Sequence, residues 1–167
     1  MTCPARVARR VAAAAFLAGA GTAMAADPVP LTPLPGRIGY AFDAPDVLVR
    51  QRLFGLAHGV NLLVSACLGR PAHAQATQAA YDRWQGAQHA AIAPLKNALA
   101  THYFGLRAGE AQWQDVAAAL GLKETIHPSL GGTSLDDACA SLPAALQNPR
   151  YDIAAHLAAL VADAKTP

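Results

Sequence analysis

The stretch PDVLVRQRLFGLAHGVNLLVSACL, residues 45–68, decides the fold class of this chain. Its apolar residues recur at spacings of three and four, which places them on one side of an α-helix. They are Val49, Leu53, Leu56, Ala57, Val60, Leu63, Val64 and Cys67. Arg50 and His58 fall away from the centre of this stripe, and the run Gly-Arg-Pro at residues 69–71 ends the helix. We therefore predict an amphipathic helix that carries Cys67 on its buried side.

Helical periodicity continues beyond this stretch and predicts four more helices. Their approximate ranges are 74–104, 110–120, 133–147 and 153–164. Pro94 lies inside the first of these ranges, so we expect that helix to be kinked or split there. Thr133 and Ser134 each precede an Asp by three positions, which is typical of a capped helix start.

The composition favours helices over strands. Alanine, the residue with the highest helix propensity, is abundant in the chain. No segment shows sustained alternation of apolar and polar residues, and no repeat of 20–50 residues is visible. We predict an all-α fold, a small antiparallel bundle-like domain of four to five helices over residues 45–167.

Residues 1–25 have the three parts of a cleavable export signal. Three arginines, Arg6, Arg9 and Arg10, precede an apolar run over residues 11–20, and Ala-Met-Ala at 23–25 suits a signal peptidase. The apolar run is shorter than the ~20 residues that cross a bilayer. We expect this segment to be removed, which leaves no membrane span and places the protein in the periplasm of a bacterial-type envelope or outside the cell.

Loss of residues 1–25 changes the charge of the protein. The whole chain has 13 basic and 11 acidic residues, a net charge of +2. Three of the basic residues and none of the acidic ones lie in the predicted signal, so the remainder has a net charge of −1. A chain with this balance lacks the basic surface that nucleic acids require, so we predict no nucleic-acid partner.

Residues 26–44 form a proline-rich segment before the first predicted helix. The run DPVPLTPLPG, residues 27–36, contains four prolines. Proline fixes φ and removes an N–H donor, so we predict an extended arm that acts as a tether or as a strap over the domain. A ligand for an aromatic groove of a partner, built on Pro30 and Pro33, is the alternative.

Two cysteines, Cys67 and Cys139, remain once Cys3 leaves with the signal. An even pair in an exported protein predicts a disulfide. Closing a loop of about 72 residues contributes roughly 4 kcal/mol in the chain-entropy model. Free thiols in a metal or redox site are the alternative, but no CxxC pattern accompanies them.

Metal binding through histidines is an alternative function. Six histidines follow residue 25, and no two of them are spaced three or four positions apart, as two ligands on one helix face would be. We therefore predict no metal site. Under the alternative, the candidate ligands are His89, His102, Asp152 and His156. Asp152 and His156 have the i,i+4 spacing, which is also that of an ordinary surface pair.

Motifs of nucleophilic catalysis are missing from the sequence. The nucleophile motifs GxSxG and SxxK do not occur. The CxxCH signature of haem attachment is also missing. Asp136 and Asp137 lie at a predicted helix start, where carboxylates favour the helix dipole, and neighbouring side chains on a helix point about 100° apart. We predict no catalytic residue and no cofactor, and keep a hydrolase with a motif-free site as an alternative.

Aromatic residues concentrate in the second and third predicted helices. Such residues at helical spacing are usually part of the core. The alternative is a small-ligand pocket near Pro94. Its lining would be Tyr81, Trp84, His102, Tyr103 and Trp113.

The sequence leads by elimination to an exported, non-enzymatic helical protein. We expect it to bind a partner protein or a small ligand in the cell envelope through a helix face or a groove between helices. The metal-binding and hydrolase alternatives stay open, and the sequence does not name the partner or the ligand.

Overall fold

The computed structural model describes residues 31–126 and 132–163. The predicted export signal, the start of the proline-rich arm with Pro30, His127 and the last four residues lie outside the described residues. Five α-helices are present in the described part: α1 Pro45–Leu68, α2 Ala74–Phe104, α3 Trp113–Leu120, α4 Leu135–Ala145 and α5 Ile153–Asp163. Two 3₁₀ helices, Gly105–Glu110 and Pro149–Tyr151, connect them, and these ranges contain no β-strand. The all-α prediction is confirmed.

The antiparallel pair of α1 and α2 forms the centre of the bundle. A short turn over residues 69–73 joins them, and α3, α4 and α5 pack around the pair. The largest fully buried side chains come from all five helices. Among them are Phe54, Leu95, Leu99, Tyr103, Val116 and Ile153. Within the described ranges, no helix combines the length and the apolar character that crossing a membrane would require.

Pro94 does not split α2, which continues as one helix from Ala74 to Phe104. Proline removes the hydrogen bond that its N–H would give to the carbonyl of Ala90. Both residues lie on the exposed side of the helix, so water can satisfy that carbonyl. Gly105 then ends α2 with a φ of 56°, a conformation that favours glycine.

The third helix begins later than its periodicity suggests. Residues 105–110 form a 3₁₀ helix, and α3 starts at Trp113. The backbone N–H of Gln112 donates to the Asp115 carboxylate over 2.8 Å. This side chain satisfies one of the donors at the helix start and sets the boundary there.

A disulfide joins Cys67 at the end of α1 to Cys139 near the start of α4, as predicted. Both cysteines are buried, and their Cα atoms lie 5.4 Å apart. Ser134 caps α4, because its hydroxyl oxygen accepts a hydrogen bond from the N–H of Asp137 over 3.1 Å.

The proline-rich arm lies across the domain as a strap, which we define as residues 31–44. It crosses α3 near both of its ends. The N–H of Leu31 donates to the Asp115 carboxylate over 3.2 Å, and the N–H of Gly39 donates to the carbonyl of Ala119 over 2.8 Å. The strap therefore has fixed partners on a helix that follows it by about 80 residues.

Candidate functional site

A buried polar network holds the strap to the central helices. Gln51 of α1 is fully buried, and its amide oxygen accepts from the N–H of Ala41 over 2.8 Å. Its amide nitrogen donates to the carbonyl of Gly39 over 3.2 Å and to the hydroxyl of Tyr103 over 2.8 Å. The Tyr103 hydroxyl in turn donates to the same Gly39 carbonyl over 2.8 Å. Each of these polar atoms has a partner, so burial leaves none of them unsatisfied.

Tyr103 is therefore a structural residue. Burial raises the pKa of its hydroxyl to about 12, although the hydrogen bond from Gln51 opposes this shift. Its backbone carbonyl accepts a hydrogen bond from the N–H of Leu34 over 2.7 Å. Both the side chain and the main chain of Tyr103 thus anchor the strap.

The outer side of the strap exposes large apolar side chains. Ile38 is 74% and Phe42 77% exposed. We define the strap face as Leu34, Ile38, Tyr40, Phe42 and the neighbouring Leu106. Seven large apolar residues are exposed in the described part of the chain, and five of them belong to this face. Single exposed apolar residues are ordinary, whereas a concentration of them marks an interaction surface.

His102 lies beside the strap, and among the predicted pocket residues its ring contacts that of Tyr103, with ring centroids 5.0 Å apart. It lines a cavity of about 520 Å³ together with residues 35–41, 43, 44 and 47. Its backbone carbonyl accepts from the guanidinium of Arg37 over 2.7 Å. Burial and the Arg37 charge lower the pKa of the His102 imidazole, while Asp43 acts in the opposite direction. His102 therefore favours its neutral form.

Trp84 of α2 is buried, and its ring stacks with that of Tyr81 with centroids 6.0 Å apart. Its indole N–H donates to the carbonyl of Tyr151 over 2.9 Å, which fixes the 3₁₀ helix before α5. Gln88, one turn further along, accepts from the N–H of Ala154 over 2.9 Å. Trp84 and Gln88 thus attach Tyr151 and the start of α5 to α2.

Tyr81 and Trp113 share a cleft of about 260 Å³ between α1, α2 and α3, which we call the α2 cleft. The other lining residues are Asn61, Gln85, His89, Ile92, Ala93 and Lys96. The Tyr81 hydroxyl donates to the Asn61 side-chain oxygen over 2.8 Å. Burial, assisted by the charge of Asp82, raises the pKa of this hydroxyl.

The indole of Trp113 is held in place from behind the cleft. It stacks on Phe54 with ring centroids 4.1 Å apart, and its N–H donates to Nδ1 of His58 over 3.0 Å. His58 is buried, contrary to its position off the centre of the α1 stripe. Because Nδ1 accepts, Nε2 carries the proton and donates to the carbonyl of Lys123 over 2.7 Å. The neutral imidazole thus links α1, α3 and the segment after α3.

The cavity nearest to Pro94 has an apolar lining. It has a volume of about 530 Å³ and lies mainly between α2 and α5. Its lining includes Leu95, Leu157 and Leu160, and none of the five aromatic or histidine residues predicted for a pocket. The structure therefore distributes those five residues over the strap, the core and the α2 cleft.

The candidate metal ligands do not converge. Residues 31–126 and 132–163 contain no group of three or more His, Cys, Asp or Glu side chains that could hold an ion. Asp152 accepts from the N–H of Ala155 over 3.0 Å and so caps α5. His156 is exposed, His89 lines the α2 cleft and His102 lies beside the strap.

Comparisons with protein-family models, with characterised proteins and with solved structures find no match for this chain. Its functional surfaces are therefore read from geometry alone. Sequence reasoning missed Gln51 and His58, which bind Tyr103 and Trp113 at separations of 52 and 55 positions along the chain. It also missed Gln85 and Lys96, although their spacing from Tyr81 and His89 along α2 was visible as a helical stripe.

Proposed function

We propose that this protein is exported to the cell envelope and acts there without catalysis, by docking a partner protein on the strap face. The observation that carries the proposal is the concentration of exposed apolar side chains on a strap whose backbone is fixed. The hydrogen bonds of Leu34, Gly39 and Ala41 hold the strap before any partner arrives. A surface ordered in advance loses less conformational entropy on binding.

The charges around the strap face favour a protein over a lipid surface. Arg37 and Arg107 alternate there with Asp43 and Glu110, and Arg107 is paired with Glu110 over 2.8 Å. Membrane-binding surfaces instead surround their apolar residues with unpaired Lys and Arg. An apolar centre with mixed charges at its rim is typical of protein interfaces.

The buried disulfide supports an exported location. Disulfides persist in oxidising compartments and are rare in a reducing cytosol. The bond between Cys67 and Cys139 is therefore compatible with the export signal predicted for residues 1–25.

Export is tested by expressing the full chain in a bacterial host and recovering it from the periplasm or medium. We expect a product whose first residue is Ala26 and which has no free thiol. Full-length protein retained in the cytoplasm with reduced cysteines would contradict this part of the proposal.

Docking is tested with a photo-cross-linking amino acid at Phe42, and with the same group at Leu68 as a matched control. Leu68 is also an exposed apolar residue but lies at the opposite end of α1. We expect a cross-link to one identified protein from position 42 only. With that protein purified, Phe42→Ser should weaken binding at least about tenfold, ~1.4 kcal/mol, as interface anchors do, and Leu68→Ser should not.

Two results would replace the partner protein by another occupant. Cross-links between copies of this chain, together with a dimer in sedimentation, would identify the strap face as a self-association surface. Co-sedimentation with vesicles of anionic lipid that is lost in Phe42→Ser would identify it as a lipid-binding surface.

A further inference from the structure

We propose that the α2 cleft binds a small aromatic carboxylate. The cleft is separate from the strap face and shares no residue with it. One wall is a stripe along α2, and the opposite wall comes from α1 and α3. The lining residues that carry the argument are Asn61, Tyr81, Gln85, His89, Lys96 and Trp113.

The size of the cleft suits a molecule with a single ring. Its volume of about 260 Å³ equals that of roughly nine water molecules at ~30 Å³ each. Drug-sized ligands require 300–1,000 Å³ or more. A benzene ring with one or two small substituents fits this space, whereas a nucleotide or a haem is too large.

Trp113 supplies a rigid surface for the ring. Phe54 lies behind the indole, and the hydrogen bond to His58 prevents the indole from rotating in its plane. The indole is only partly buried, and its remaining surface contributes to the cleft. A fixed indole can stack with a planar ligand without losing further side-chain freedom, which favours an aromatic over a flexible aliphatic molecule.

The charge of the lining selects an anion. Lys96 is half-buried in the cleft, and none of the lining residues is Asp or Glu. The Lys96 ammonium donates to the carbonyl of Ala111, which uses one of its three N–H donors. None of the ion pairs in the described part of the chain involves Lys96. A carboxylate can therefore take the remaining donors, and His89 on the same stripe can add another.

The polar residues near Tyr81 complete the site. The Tyr81 hydroxyl donates its hydrogen bond to Asn61, so the hydroxyl oxygen remains available as an acceptor. The amide of Gln85, one turn along the helix, can donate or accept. A ring that carries a hydroxyl group away from its carboxylate would find partners on this side of the cleft.

The two tryptophans of the chain provide the assay. Both indole N–H groups give separate signals in a proton–nitrogen NMR spectrum. Trp113 lines the α2 cleft, whereas Trp84 does not line it and its N–H donates to Tyr151. Titration with benzoate should shift the Trp113 signal saturably, with a Kd of about 1 mM or below for a ligand of this size. The Trp84 signal is the internal control and should shift much less, because Trp84 reaches the cleft only through its contact with Tyr81.

Two other probes separate the ring from the charge. Benzamide keeps the ring without the negative charge, and cyclohexanecarboxylate keeps the charge without the planar ring. We expect both to bind at least about fivefold more weakly than benzoate, because each loses one of the two interactions. Equal binding of either probe would overturn the proposed ligand class.

Lys96→Met is the decisive variant, and Arg83→Met is its matched control. Arg83 lies on the same helix and its loss changes the net charge equally, but it lines a different cavity. We expect Lys96→Met to weaken benzoate binding at least about tenfold, Lys96→Arg to restore most of it, and Arg83→Met to leave it within about twofold. An unchanged far-UV circular dichroism spectrum establishes that each variant is folded.

Three results would overturn the proposal. They are no saturable shift of Trp113, an equal shift of both indole signals, or equal weakening by Lys96→Met and Arg83→Met. The strap face is tested independently, since Phe42→Ser should leave benzoate binding unchanged. If benzoate does not bind in the α2 cleft, the docking proposal is unaffected. If no partner docks on the strap face, the ligand proposal is likewise unaffected.

Discussion

The two ends of the bundle are held closed by different chemistry. At the disulfide end, a covalent bond joins α1 to α4, and the guanidinium of Arg70 pairs with Asp136 over 3.0 Å. At the strap end, no covalent bond is present among the described residues, and hydrogen bonds around the fully buried Gln51 hold the strap.

The two ends also differ in what they expose. The strap face carries five of the seven exposed large apolar residues of the described chain and Val49 lies near the start of α1, whereas the disulfide end carries only Leu68 among them. The disulfide stabilises the end that exposes few large apolar residues. A network of hydrogen bonds orders the end that exposes most of them. Stability and presentation are therefore separated along the length of α1, and each can be perturbed alone.

Removal of the disulfide should have the largest effect. For the double variant Cys67→Ala/Cys139→Ala we expect the free energy of unfolding to fall by about 4 kcal/mol at most, since the 72-residue loop is no longer closed in the unfolded chain. Urea unfolding followed by circular dichroism measures this change. Amide exchange at Gly39 should stay slow in the folded variant. A loss below about 1 kcal/mol would mean that side-chain packing, and not the disulfide, holds that end.

Gln51→Ala should produce the next largest effect, confined to the strap end. It leaves the N–H of Ala41 without its partner and removes a donor from Gly39 and Tyr103. We expect a loss of about 2–3 kcal/mol in urea unfolding. Hydrogen exchange at Gly39 and Ala41 should become faster than at Cys67. Gln78→Ala, at an exposed glutamine of α2, is the control and should change stability by less than about 0.5 kcal/mol.

Alkaline pH should weaken the strap end through Tyr103. Its folded-state pKa of about 12 lies above the ordinary value of 10.0, so the unfolded chain releases this proton first as pH rises. The free energy of unfolding should therefore fall between pH 10 and 12, by no more than about 3 kcal/mol. Tyr103→Phe should lack this component, although Tyr81 still contributes in the same direction. The contrary result is a free energy of unfolding that depends on pH in the same way for the natural protein and for Tyr103→Phe. It would show that Tyr103 ionises as freely in the folded chain as in the unfolded one.

The surface ion pair at the disulfide end should have the smallest effect. The side chains of Arg70 and Asp136 are 44% and 63% exposed. We expect Arg70→Ala to cost no more than about 1 kcal/mol, because exposed pairs are screened by water and salt. Thermal unfolding at low salt should show a small difference in stability between Arg70→Ala and the natural protein, and high salt should remove that difference. A large, salt-independent loss would assign Arg70 a role in holding α4 that its exposure does not indicate.

The sequence was sufficient to predict the helices and the disulfide. The apolar spacing of residues 45–68 and the stop signals at Gly105 and Gly121 are local, and α1 and α2 begin and end where these signals lie. The late start of α3 was not predicted, because the side chain of Asp115 competes with helical periodicity. The split at Pro94, one of the two predicted outcomes, does not occur, because the outcome depends on which side of α2 faces water.

The candidate surfaces were harder to predict, because their residues depend on partners remote in the sequence. His58 is polar and off the centre of its stripe, yet Lys123 and Trp113 satisfy both of its ring nitrogens. Gln51 is buried for the same reason, with partners in the strap and at the end of α2. Periodicity ranks side chains by polarity and cannot register a hydrogen bond between residues 50 or more positions apart.

The strap has a consequence for the order in which the chain is completed. A ribosome or a translocation pore delivers residues 31–44 before any of the rest of the domain, but Tyr103, Asp115 and Ala119, which hold the strap, lie 64 or more positions after the strap residues that they bind. During that interval Ile38 and Phe42 have no internal partner. After the predicted export signal, apolar groups that this protein offers early in synthesis are therefore also ones that it still presents when folding is complete.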